Sequence, residues 1–526
     1  MHRKILVLVL TAAAGAGAVG ITDWLSVNGT NEAVYMRQRE DGHRWTWDTF
    51  QTEVRAWRLA VGVEAEFDHP RRPIIEPTTA EGFDIEGDEI VQRYARYRDD
   101  IFDVRAGTYD KTLGKGLTLR SYEDRDLDVY QRLDGGVAEA CIAIGEREWG
   151  DVTALWGRSS REVEVEELGE TKELGRDKVG GGQLTVRPVD FFYLTGSAVK
   201  AEVINREVQD HPTDENKVYA GGLGGGWQYF DLYGEYALRD GYETTPFSAG
   251  DVEGKGFYGV ATGYLPRSSV SVQYKRYDHL SYRYNNPPPV SVNEYMLTGP
   301  DPQAPPSEWG YYVQASANPV TDVRVRGGYS YADDKVGEND VKGHDVEQYF
   351  GNVRYDLPWP VVVEAEYEHL GKLNYFGEDV SGDIKRTPSL AVSWTPWDDH
   401  SFSTKFEREE ETDYTLGGRV FVYNRADAGY TYSSWLGLTV SYEDSDKTGK
   451  ELVDPGDPAN GILATYRYKN DWLWGEVRLS WYNEIFQNHV LTIGYGSRRG
   501  GQVCSSGVCQ IESAFSGLKV TLESSF

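Results

Sequence analysis

Along most of this chain apolar and polar residues alternate with a period of two. Val323, Val325, Gly327, Tyr329 and Tyr331 fall on one side of an extended strand, and Arg324, Arg326 and Ser330 fall on the other. Val361, Val363, Ala365 and Tyr367 oppose Val362, Glu364, Glu366 and Glu368, and Leu436, Leu438, Val440 and Tyr442 oppose Gly437, Thr439, Ser441 and Glu443. The last ten residues repeat the pattern, with Leu518, Val520, Leu522 and Phe526 on one side and Lys519, Thr521, Glu523 and Ser525 on the other. Successive side chains of a strand point to opposite faces, so this alternation predicts strands with one apolar and one polar face. A first strand is expected over 24–36, and 46–56 with 59–67 reads as a hairpin because the apolar positions change phase between Ala56 and Leu59.

The connections come in two sizes. Very short ones lie at 98–100, 148–150, 189–190, 266–268, 318–321, 357–360, 396–399 and 434–435. Long polar ones lie at 68–88, 109–136, 158–180, 205–216, 240–254, 284–309, 333–345, 371–387 and 444–460. Short turns at one end and long loops at the other predict an all-β, transmembrane antiparallel up-and-down β-barrel, with the short side periplasmic and the long loops extracellular. A soluble sandwich or propeller would have a polar outer face and more even turns, and a propeller would repeat at a fixed period. A plain count gives about 25 strands, whereas a single-chain bacterial barrel should have an even number. The conflict lies at 462–488, where 462–469 and 472–482 look like two strands. Placing 462–469 above the membrane within a long loop leaves about 24 strands, within 22–26.

The N-terminus is the exception to the pattern. His2, Arg3 and Lys4 precede the apolar run Ile5 to Leu10 and a small-residue stretch with cleavage sites at Ala16 or Ala18. This is the order of a secretory signal, and the run is too short to span a bilayer. The expected organisation is a cleaved signal peptide over 1–18 and an outer-membrane barrel over 19–526. A mean hydropathy of −0.56 is too polar for helical spans. The 36 Tyr, 15 Trp and 58 Gly against 3 Met favour strands, with aromatic girdles at two interfaces. A net charge of −30 argues against nucleic acid; it suits either solvated loops or a cation-favouring interior.

Two stretches stand out chemically. In the loop from Gly107 to Gly136, Gly114-Lys-Gly116 lacks the Lys-Ser/Thr of a phosphate loop. Glu123, Asp124, Asp126 and Asp128 do not have EF-hand spacing, so an acidic loop that is solvated or plugs the lumen is favoured over a calcium site. The second stretch, 496–515, contains Cys504 and Cys509. In an exported chain these should form a disulfide in the loop before the last strand, rather than a redox or metal site. Cys141 is expected as a small buried or lipid-facing side chain.

A strand ending on Phe526 resembles the C-terminal assembly signal of bacterial outer-membrane barrels, carried here by Leu518, Val520, Leu522 and Phe526. Further features are Gly114-Lys-Gly-Leu-Thr-Leu-Arg120 running into Tyr122-Glu-Asp124, then Gly135, and Arg499-Gly-Gly501 before Cys504-Ser-Ser-Gly-Val-Cys509. Together they resemble an uncharacterised family of large outer-membrane β-barrel proteins from diderm bacteria. The resemblance covers less than a tenth of the chain. It implies the barrel and its location, and supplies neither catalytic residues nor a substrate.

The His residues are scattered, and Asp398-Asp399-His400 falls in a short turn, so no catalytic, cofactor or metal-ligating set is expected, and no enzyme. The leading expectation is a porin-like channel for small or cationic solutes, with Glu364, Glu366, Glu368, Arg324 and Arg326 as lumen-facing charges. The alternative is a scaffold or sheath that anchors, exports or encloses a partner, including a multihaem electron carrier; without Cys-x-x-Cys-His, any haem would belong to that partner. Expected partners are outer-membrane lipid and lipopolysaccharide, the barrel-assembly machinery, and a periplasmic or surface protein.

Overall fold

The structure is a computed structural model, and it describes residues 24–39, 44–69, 89–124, 129–145, 147–160, 163–167, 170–204, 212–244, 249–285, 307–333, 344–376, 379–414, 418–454, 465–482, 488–498, 501–505, 508–512 and 515–525. The signal segment 1–18 and Phe526 lie outside these residues.

Each barrel strand pairs antiparallel with its neighbour in sequence, and the last returns to the first, closing a sheet of 24 strands. The closing strand Phe515–Ser525 is paired on both sides: Val520 is opposite Ile493 on one side and opposite Tyr35 on the other. A closed sheet leaves no edge with unsatisfied backbone groups, as a strand structure in hydrocarbon requires. The first strand is Leu25–Gln38, and the expected hairpin is Arg44–Ala56 with Leu59–His69. Its turn is Trp57-Arg58, with Trp57 at φ 55°.

The parity conflict near 462–488 resolves within one strand. Thr465–Trp481 is continuous, and its first residues pair with 449–454 beyond the barrel wall. The register shifts between Asp444 and Gly449, opposite the place where the alternation changes phase near Asp471. Two apparent strands are therefore one strand interrupted by an irregularity, and the total stays even. Small hairpins outside the barrel sheet add Lys111–Leu113 with Leu119–Ser121, Val163–Glu167 with Glu170–Gly175, and Gly501–Ser505 with Val508–Glu512.

The outer face shows why these sequences alternate. Leu184, Leu194, Leu223, Leu232, Val272, Val353, Leu390, Val440 and Ile493 all point out and are exposed. At the short-turn end Trp57, Trp227, Tyr229, Trp359, Trp397, Trp435 and Tyr482 surround this band. Further along the strands lies a second aromatic row: Tyr236, Phe257, Tyr274, Tyr349 and Tyr367. Phe257 and Tyr274 stand 6.1 Å apart by ring centroid, and Tyr349 and Tyr367 6.2 Å. An apolar belt between two aromatic rows is what a strand barrel presents to lipid. No helix among the described residues is long and apolar enough to cross a membrane, which says nothing against strands.

Towards the long-loop end the apolar phase inverts on part of the wall. In Phe192–Ile204 the outward side chain is apolar at Leu194, but above Ala198 the outward residues are Lys200 and Glu202, while Val199, Ala201 and Val203 turn inward and are buried. Thr213–Trp227 does the same, with Glu215 and Lys217 outward and Val218 inward and fully buried. An apolar inner face needs a cover.

Candidate functional site: a loop folded into the lumen

The cover is the loop that follows Phe102–Tyr109. Lys111–Leu113 and Leu119–Ser121 form a short hairpin, and Leu113, Leu117, Thr118 and Leu119 are 0% exposed. Leu113 and Leu119 pack with Tyr109, Leu133, Val137, Leu155, Val179 and the inward Val199, Ala201 and Val203. Leu117 packs with Val218, Tyr233, Ala237, Tyr258 and Tyr277. Burying each leucine stabilises the docked loop by roughly 1.5–3 kcal/mol as an upper estimate.

Hydrogen bonds fix the position of this hairpin. The Gly114 N–H donates to Gln183 Oε1 at 2.7 Å, and the Lys115 N–H donates to Glu235 Oε2 at 2.9 Å. The Tyr233 hydroxyl donates to the same carboxylate at 2.5 Å, and Thr118 Oγ1 lies 3.1 Å from Ser197 Oγ. Gln183, Ser197, Tyr233 and Glu235 alternate with the outward Leu184, Leu194, Leu232 and Tyr236, so they face the lumen and the hairpin lies inside the barrel. Gly114 and Gly116 have φ of +59° and +90°, which glycine adopts without strain.

A second segment, Leu280 to Asn285, follows the strand Ser268–Asp278 and clamps the hairpin. Tyr282 OH donates to Thr118 O at 2.5 Å, Asn285 Nδ2 to Leu117 O at 3.0 Å, and the Arg120 N–H to Tyr284 O at 2.8 Å. The clamp is held to the wall by two polar anchors. Arg239 donates to the carbonyls of His279 and Ser281 at 3.0 and 2.6 Å, and to Asn216 Oδ1. Asp177, 1% exposed, accepts from Ile204 N–H, Arg283 Nη1 and Tyr284 OH at 2.8, 2.8 and 3.0 Å. Lys275 and Glu308, both buried, form an ion pair on the same wall.

Across the bore the wall is polar and accessible. Following partners from Glu235 through Tyr258, Lys275, Gly310, Ala332 and Val346 to Lys372 carries the inward face to the strand Val361–Phe376. Glu364, Glu366 and Glu368 share that face with Lys372. Glu364 accepts from Asn352 Nδ2 and Glu368 from Gln348 Nε2, each at 2.6 Å, while Glu366 is exposed. Arg324 and Arg326, both exposed, stand on this face two strands away, where Arg326 is opposite Asn352 and Asn352 opposite Glu366. Glu366 is also opposite Ser389, itself opposite Glu407, so the acids continue on the strand His400–Asp413 with Glu407, Glu409 and Glu411. Lys405 and Lys385 temper them, at 2.7 Å from Glu407 and 3.7 Å from Glu409. At the hairpin turn the exposed Lys115 lies 5.4 Å from the Tyr233 ring centroid.

Residues 40–297 match the model of a family of unknown function, DUF6029. The match spans a little under half of the chain. It includes Gly114 to Arg120, Tyr122 to Asp124 and Gly135, and ends before the cysteine loop and the terminal strand. No curated protein matches the sequence. Solved structures with a similar course are the siderophore receptor PirA from Pseudomonas aeruginosa (10% identity, 96% of this chain and 80% of that one, TM-score 0.48). Others are OccK5 (OpdH) of Pseudomonas aeruginosa (12%, 71% and 98%, TM-score 0.40) and the P pilus usher (PapC) translocation pore (10%, 95% and 99%, TM-score 0.44). These likenesses are distant, and the architecture rests on the chain's own closed strand pairing.

Glu123 pairs with Arg132 at 3.2 Å, and Asp126 and Asp128 lie outside the described residues. Among the described residues no group of three or more His, Cys, Asp or Glu could hold a metal ion. The backbones of Cys504 and Cys509 are direct partners across their ladder, while their side chains lie outside the described residues. Cys141 alternates with Ala140 and Ile142 and shares the lumenal face of Glu139, rather than facing lipid. Leu518, Val520 and Leu522 share the outward face of Ile493. The inward hairpin and its clamp were not legible as a site, although the phase inversion at Ala198 was a usable signal.

Proposed function

We propose that this protein is an outer-membrane channel whose bore is narrowed on one side by the hairpin 111–121 and bounded on the other by a charged, water-accessible wall. The observation that carries this reading is the asymmetry of the lumen. One side is packed against the docked hairpin and buried, and the other keeps Arg324, Arg326 and Glu366 exposed. A closed barrel of 24 strands is wide enough to leave an aqueous passage beside such a loop. Guanidinium and carboxylate groups two strands apart on one wall set a local field in the bore that acts on passing ions and zwitterions. The excess of acids on the strands Val361–Phe376 and His400–Asp413 favours small cationic solutes.

In this reading the first 18 residues direct export and are removed, and the strand ending in Phe526 is the assembly signal. The short turns lie in the periplasm and the long loops outside. A Cys504–Cys509 disulfide ties the tip of the last loop, since directly opposed residues of an antiparallel ladder have the separation such a bond needs.

Liposome swelling with the purified barrel tests the passage. Uptake of small sugars and amino acids that falls with solute size, and that is faster for cationic than for anionic amino acids of equal mass, supports the reading. Swelling no faster than in protein-free liposomes, from a barrel shown to be folded, overturns it.

A further inference from the structure

Several charges on the accessible wall are neutralised along their own strands. Lys405 holds Glu407 at 2.7 Å, Arg425 holds Asp427 at 3.1 Å and Arg354 holds Asp356 at 3.0 Å. Four charges on the same lumenal face are not neutralised. Among the described residues Arg324 and Glu366 have no hydrogen-bond or ion-pair partner, and both are exposed. Glu364 accepts from the neutral Asn352 at 2.6 Å. The exposed Arg326 touches neutral groups alone: Gln314 Oε1 at 3.3 Å, the Tyr312 hydroxyl, and the Phe350 ring at 5.3 Å to its centroid.

The two cations and the two acids are held apart in register. Arg326 is opposite Asn352 and Asn352 opposite Glu366, while Arg324 is opposite Arg354 and Arg354 opposite Glu364. Two ladder steps put each cation about 10 Å from its acid between backbone positions. Arg326 is seated on its own side by its neighbours. Phe350 lies against Gly328, where a Cβ would collide with the ring, and Gln314 Oε1 is itself fixed by the Tyr312 hydroxyl at 2.5 Å. The residues between are occupied elsewhere, Asn352 with Glu364 and Arg354 with Asp356. Arg324 also borders a depression with Arg267, Asp322 and Asp356 at the short turns, and neither acid reaches ion-pair distance from it.

We infer that this wall recognises zwitterions whose two charges lie several bonds apart, such as ω-amino acids and short peptides. The carboxylate goes to Arg324 and Arg326, and the ammonium to Glu364 and Glu366. The inference rests on the passage proposed above and names the solute it prefers. A guanidinium takes both oxygens of a carboxylate, so Arg326, already oriented, supplies a fixed fork for that end. A solute with one charge meets half of the wall. An α-amino acid, whose charges share one carbon, cannot span from the cations to the acids.

The isomers ω-aminohexanoate and norleucine test this, since they share mass and net charge and differ in how far apart their charges lie. In liposome swelling with the full-length barrel, ω-aminohexanoate should enter about twofold or more faster than norleucine. Uptake of the neutral sugar arabinose reports an open, folded barrel. Arg324→Gln/Arg326→Gln and Glu364→Gln/Glu366→Gln should each bring the two isomers to equal rates and leave arabinose uptake unchanged. Equal rates through a native barrel that admits arabinose would overturn the inference and leave the passage standing, and this comparison needs no variant. A variant that admits arabinose and keeps the full preference, or that slows both isomers alike, would overturn the assignment to these residues. A folded native barrel that admits no arabinose refutes both the passage and the site.

Discussion

A Cβ placed on Gly114 would stand 2.3 Å from Oε1 of Glu235, a carboxylate only 2% exposed on the lumenal wall. The two residues are far apart in the chain, and their contact is what seats the inward hairpin. Gly114→Ala therefore meets a left-handed φ of +59° and a buried acid together. We expect the barrel to persist and the hairpin to undock, with the backbone term alone worth about 1–2 kcal/mol. Limited proteolysis of the folded protein checks this: cleavage within 111–121 should accelerate in the variant. An unchanged cleavage pattern would contradict the docking.

The clamp and the hairpin should loosen together. Asn285 Nδ2 donates to Leu117 O and Leu280 O, both at 3.0 Å, and its Oδ1 accepts from the Tyr282 N–H at 2.9 Å. Asn285→Ala leaves these buried groups without that partner, at about 1–3 kcal/mol each at most. Hydrogen exchange should rise in both 111–121 and 280–285. A rise in 280–285 alone would mean the two segments are not coupled.

Much of the fold was legible because a barrel strand has lipid on one side and water on the other, which writes a period of two into the sequence. Glu364, Glu366 and Glu368 could be placed on one face from Val361 to Tyr367 alone. The inward hairpin was not legible, because Leu113, Leu117 and Leu119 sit in a long polar loop that gives no sign of what they pack against. They become a core only through Val199, Val218 and Tyr233, brought beneath them by barrel closure. The sign of this in the sequence was the shift of apolar residues from outward to inward above Ala198. Thr465–Trp481 misled for a related reason: an irregularity in the pairing inverted the alternation without ending the strand.

The lumenal acids should set ion preference. Glu364→Gln/Glu366→Gln/Glu368→Gln keeps the side-chain volumes and removes three negative charges from one wall. The cation-to-anion permeability ratio from the reversal potential should fall by roughly twofold or more at low salt, and less at high salt where screening is strong. An unchanged ratio would place the selectivity elsewhere in the bore.

One short turn should be acid-sensitive. The Phe102 N–H, then the Tyr97 hydroxyl, then the Ile101 N–H hold the half-buried Asp99 carboxyl below the usual range. These contacts are 2.7, 2.7 and 2.8 Å. A depressed folded-state pKa contributes stability above the unfolded value of about 3.9, which is lost as pH falls through the folded value. Asp99→Ala should therefore be less stable than the native chain at pH 6 in urea titrations, with the gap narrowing as the pH falls below the unfolded value. A gap of constant size from pH 6 to pH 2 would rule out the ionised carboxylate as its source.

The central claim is a water-filled passage beside a docked hairpin, and single-channel recording in planar bilayers tests it most directly. The native barrel, shown to be folded, should give stable steps with a cation-selective reversal potential under a salt gradient. The Gly114→Ala barrel should give larger or noisier steps as its hairpin leaves the wall. Silence from both folded barrels would contradict the account.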